Sequence, residues 1–105
     1  MTRVGLTERN RKILKQGGYD KLYEKNKLAW LEYAKGAYSF AKYFIAEGRE
    51  PGEDDIANAL LLALESNDVL LKHQAEETPK IDEAEQQKRR KYFAEYVVYQ
   101  YLRSK

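Results

Sequence analysis

The chain has 105 residues, 43% of them hydrophobic and 34% charged, with a net charge of +2 and no cysteine. That length fits one domain spanning residues 1–105, too apolar for a disordered segment and too charged for a membrane-spanning one. The missing cysteines exclude both a disulfide framework and a thiolate metal site.

Thr7 is a permitted N-cap for a short basic helix whose apolar pair is Ile13 and Leu14, and Gly17-Gly18 should stop it. Asp20 can start a second helix. Tyr19, Tyr23, Trp30, Tyr33, Ala37, Phe40 and Phe44 follow at helical spacing, with Asn26 in the one polar slot. This stripe predicts a core-facing helix of about 40 Å that ends at Gly48. Ala34, Ala37 and Ala41, with Gly36 beside them, offer small side chains where another helix can approach closely.

Pro51 and Gly52 form the clear break in the helical pattern. After it, Asp54 or Asp55 can cap a helix carrying Ile56, Leu60, Ala63, Leu64, Leu70 and Leu71. Asn67-Asp68 either interrupts this helix or rides within it. The last helix, placed between 79 and 103, has two possible starts, Thr78-Pro79 and Asp82 with Glu85. Phe93, Tyr96 and Val97 should face the core, with Tyr92, Tyr99 and Tyr101 at its edges. The predicted fold is all-α, an antiparallel bundle of about four helices, one short and three long, open to completion by dimerisation.

Charge is unevenly spread: residues 1–49 carry +6, residues 50–87 carry −9 and residues 88–105 carry +5. The longest apolar run, residues 59–64, falls far short of the roughly 20 residues a spanning helix needs. The opening MTRVGLTERN has no apolar signal-peptide core. These features set the expectation of a cytoplasmic protein without a membrane partner.

Catalytic chemistry finds little purchase. His73 is the only histidine, and a single His with Glu76 three residues on does not repeat the paired ligands of a helical di-metal site. Glu50, Glu53, Asp54, Asp55 and Asn58 could offer oxygen ligands to a hard cation, yet carboxylates at a helix start are expected for capping alone. A carboxylate- or metal-dependent hydrolase is therefore the third reading, and no cofactor, metal or catalytic residue is assigned.

Two binding readings stand ahead of it. The first is a non-catalytic interaction protein that binds a protein partner and itself. It rests on nine tyrosines, three phenylalanines and one tryptophan, more aromatic surface than a small core must hold, with Tyr92, Tyr99 and Tyr101 as candidate contacts. The second is a nucleic-acid binder gripping phosphates with Arg9, Arg11, Lys12 and Lys15 near one end and Lys88, Arg89, Arg90 and Lys91 near the other. On a helix the last four point about 100° apart, so at most two can share a face.

Overall fold

The computed structural model describes residues 7–45, 47–77 and 82–104, and these form six α-helices and no strand. They are α1 (Glu8–Gln16), α2 (Tyr19–Lys25), α3 (Lys27–Lys42), α4 (Glu53–Leu64), α5 (Asp68–Glu77) and α6 (Glu83–Arg103). The radius of gyration is 13.5 Å, close to the roughly 13 Å expected of a compact chain this long. No helix among the described residues is long and apolar enough to cross a membrane.

Most helix ends follow the capping chemistry of the sequence. Thr7 Oγ1 accepts from the Asn10 N–H at 3.1 Å, and Asp82 Oδ1 accepts from the Glu85 N–H at 2.8 Å. Asp82 is thus a start of the last helix, while Thr78-Pro79 lies outside the described residues. At the head of α4 the N-cap is Gly52 rather than Asp54 or Asp55. Asp55 instead reaches back to accept from the Gly52 N–H at 2.9 Å. Asn67 separates α4 from α5, its Oδ1 accepting from the Leu70 N–H at 2.9 Å, so residues 54–77 form two helices.

The predicted 40 Å helix is shorter and broken. Asn26 leaves helical geometry at φ −124° and ψ 35°, separating α2 from α3. A side-chain bond braces the bend, and the residue at the bend suits it. The Trp30 indole N–H donates to the Leu22 carbonyl at 3.1 Å, and Asn at the junction has a low helix propensity. At its other end α3 stops at Lys42. Tyr43 and Phe44 close the last turn through N–H bonds to Phe40 and Ala41 carbonyls, before the chain reaches Gly48.

The core lies where α3, α4 and α6 pack on one another, with α1 and α2 folded against one side. Trp30, Tyr19 and Phe93 form its aromatic centre. Phe93 meets the Trp30 ring edge-on at 5.0 Å and the Tyr19 ring at 5.9 Å. Ile56, Leu60, Leu64, Leu70, Val97 and Val98 surround them, all fully buried; each such side chain contributes about 1.5–3 kcal/mol of apolar burial. Ala34, Ala37 and Ala41 are buried, as their small size suggested, where α3 packs on α4. Tyr33, Phe40 and Phe44 are not: on either side of the buried Ala37 the aromatic stripe turns outward.

Candidate functional site

Two surfaces stand out, and they share no residue. The first is an apolar groove between α3 and α4. On α3, residues 33, 36, 37 and 40 fall within one arc of the helical wheel, and Phe44 continues it beyond the last turn. Ala59, Leu62 and Ala63 face them from α4. Two adjoining concavities of about 370 and 420 Å³ share Phe40, Ala59 and Leu62. Tyr33, Phe40, Phe44 and Leu62 are 45%, 48%, 73% and 61% exposed. Scattered apolar residues are ordinary on a protein surface, whereas a contiguous concave patch of aromatics and leucine is the usual mark of a contact surface.

The groove is bordered by acid. Glu32 and Asp55 line it, and α4 carries Glu53, Asp54 and Asp55 in its first turn without a single cation in its length. The α3 lysines lie away from it, because Lys35 and Lys42 sit about 180° round the helix from the Tyr33–Phe40 stripe. Gly36 lies in the groove floor with nothing within 4 Å of where a Cβ would stand.

The second surface is where α1 meets the C-terminal half of α6. Arg103 Nη1 donates to the Tyr99 hydroxyl at 2.8 Å, and its guanidinium lies 5.3 Å from the centre of the Tyr99 ring. The Arg11 guanidinium lies 5.4 Å from the same ring centre. Leu14, Tyr96 and Gln100 complete a hollow of about 280 Å³. The Arg103 hydrogen bond, with the charges of Arg103 and Arg11, holds the Tyr99 hydroxyl below its ordinary pKa against a smaller opposing effect of burial.

The residues singled out from sequence are distributed unevenly over these surfaces. Arg9, Arg11, Lys12 and Lys15 are exposed on α1 and border one concavity together with Glu8. The KRRK run is split: Lys88 and Lys91 are exposed, Arg89 is half-buried, and Arg90 is buried with its guanidinium bonded to Gln74. Tyr92 and Tyr101 are partly buried and pack against the core, and Tyr99 is engaged by the two arginines. The widest exposed aromatic surface is on α3 instead, because α6 lies against α1, α3 and α4 and has less free surface to offer. Phe40, Phe44 and Leu62 are the residues that sequence reasoning missed as surface; their spacing marks an apolar face but not whether that face has a partner.

The other candidates serve the fold. His73 Nε2 lies 2.8 Å from the Gly17 carbonyl, and its ring meets Tyr19 edge-on at 4.9 Å. Glu50 accepts from the Tyr38 hydroxyl at 2.7 Å and pairs with Lys42 at 3.7 Å, while Asp55 caps α4. Among the described residues no three His, Asp or Glu side chains gather as a metal site. Comparison of the chain with protein-family models, curated proteins and solved structures finds no match.

Proposed function

We propose that this protein is a non-catalytic docking module whose α3/α4 groove seats a basic amphipathic helix of a partner protein. The single observation that carries this reading is the exposure of Tyr33, Phe40, Phe44 and Leu62 along one concave, acid-bordered groove. Helix-in-groove recognition uses apolar anchors at i, i+3, i+4 and i+7 spacing, and the groove presents a matching apolar track. In this reading α3, α4 and α6 are three members of an antiparallel bundle, and the incoming helix takes the fourth position.

Charge decides which helix. Glu32, Asp55 and the carboxylates at the head of α4 favour cations on the rim of the bound helix and repel a second acidic groove. A second copy of α4 brings no cation to this acidic rim, because the helix contains none, so a basic partner helix fits better than a second copy.

The test is a titration with two labelled 18-residue amphipathic helices, one built from leucine and lysine and the other from leucine and glutamate. The leucine–lysine peptide should bind and the leucine–glutamate peptide should not. Leu62→Lys should weaken binding at least tenfold, as expected for loss of a central anchor, whereas Leu28→Lys, at an exposed site outside the groove, should not. Equal binding by wild type and Leu62→Lys would remove the groove from the function. Wild-type dimerisation abolished by Leu62→Lys would assign the groove to a second copy instead.

A further inference from the structure

The α1/α6 corner has the opposite chemistry to the acid-bordered groove. Two guanidinium groups, from Arg11 and Arg103, converge on the single Tyr99 ring. Among the described residues neither arginine has a carboxylate within 4 Å. Both guanidinium groups line one hollow, and an anion seated in it offsets their like charge while gaining charge-assisted hydrogen bonds. We propose that Arg11, Tyr99 and Arg103 form a binding site for a phosphate group carried on the backbone of a nucleic-acid strand.

The hollow has the parts such a group requires. Arg103 is held by its 2.8 Å bond to the Tyr99 hydroxyl and lines the hollow. Guanidinium presents several donors in a rigid fork that matches phosphate oxygens. The Gln100 side chain lines the same hollow and adds polar capacity. Leu14 and the Tyr96 ring complete its walls.

A strand fits better than an isolated phosphate because the positive surface continues. Arg11 borders a second concavity, of about 520 Å³, with Arg9, Lys12 and Lys15, where the only acid is Glu8. Arg11 thus joins the two hollows into one track of five cations, four from α1 and one from α6. Successive phosphates along a chain can occupy such a track, whereas free phosphate can use only one hollow. The Lys88–Lys91 run adds nothing to it in this account: Arg90 is buried, and Lys88 and Lys91 line neither hollow.

The experiment is anisotropy with a labelled 20-residue oligothymidylate, repeated across a salt series, on the full chain and on Arg11→Gln, Arg103→Gln, their double variant and a Lys88→Gln/Lys91→Gln control. Binding should weaken with salt. The double variant should lose at least tenfold in affinity at low salt and flatten the log–log salt slope by about 0.7, the value for one single-strand phosphate contact. The control should match wild type. Thermal melting verifies that each variant folds, and Arg11→Lys/Arg103→Lys, which keeps the charge but not the fork, should fall between wild type and the Gln pair. Inorganic phosphate should compete only weakly. An unchanged affinity and slope in the Arg11→Gln/Arg103→Gln protein would overturn the site. Binding of inorganic phosphate in an Arg11- and Arg103-dependent manner with no oligothymidylate binding would overturn the strand assignment.

Discussion

Arg90 Nη1 donates to Gln74 Oε1 at 3.0 Å inside the protein, joining α5 to α6. Gln74 is itself 3% exposed and donates through Nε2 to the Gln86 carbonyl at 2.9 Å. One amide therefore serves a buried cation and a backbone acceptor together, although Arg90 Nε is buried without a hydrogen-bond partner among the described residues. Gln74→Leu should cost about 2–4 kcal/mol, since it strands a charged donor in the interior. Arg90→Met should cost less, because it removes the charge that needs a partner. Urea unfolding of both variants and of the double variant provides the check, with the double variant expected to lose less than the sum of the two.

Trp30 is 1% exposed, with its indole N–H on the Leu22 carbonyl and its ring against Phe93. Trp30→Ala should cost about 3–5 kcal/mol. Trp30→Phe retains much of the packing and should cost less, chiefly through the lost hydrogen bond. Because Trp30 is the only tryptophan, its fluorescence in the wild type should be blue-shifted when native and move to the red in one step on unfolding.

The Gly17-Gly18 turn is held from α5 by His73. Gly18 has φ 75°, and a Cβ there would lie 3.5 Å from His73 Cε1, an ordinary contact. The cost of Gly18→Ala thus comes from its left-handed backbone, about 1–2 kcal/mol. Gly18→Asn should be milder, since Asn tolerates this conformation better. His73→Ala should cost about 1–2 kcal/mol by releasing the Gly17 carbonyl. Thermal melts of the three variants give the order directly; a Gly18→Asn protein less stable than Gly18→Ala would contradict the backbone explanation.

Glu95 provides the pH test. Burial raises its carboxyl pKa above the ordinary value and nearby Asp54 adds to the rise, while Lys91 opposes it. A raised folded-state pKa means stability that is fully present below the unfolded pKa and lost as pH rises through the folded value. Glu95→Gln removes that loss. It should raise the melting temperature at pH 7 and lose this advantage in acid, with partial exposure and screening keeping the gain below about 1 kcal/mol. A gain of equal size at pH 3 and pH 7 would point to packing rather than charge.

Local chemistry was legible in the sequence where its cause was local. Thr7, Gly17-Gly18, Pro51-Gly52 and Asp82 mark helix ends because the bonds that cap or close those helices reach only a few residues along the chain. The apolar positions Ile56, Leu60, Leu64, Phe93 and Val97 likewise fall in the core. The break at Asn26 was hidden because Asn also occurs inside helices, and the Trp30 indole bond that braces the bend at the Leu22 carbonyl forms only once the chain has turned there. Phe40 and Phe44 continue the spacing of Trp30 and Tyr33, and spacing alone cannot distinguish a face that has a partner from one that lacks it. The Arg11–Tyr99–Arg103 corner requires α1 to lie against α6, a relationship that no local pattern encodes.

The docking account is tested most directly by amide NMR of the wild-type protein during addition of the leucine–lysine helix. The predicted result is saturable shifts concentrated at Tyr33–Phe44 and Ala59–Ala63, with Arg11, Tyr99 and Arg103 unmoved. No saturable shift, or shifts centred on α1 and the end of α6, would contradict the α3/α4 groove as the docking surface.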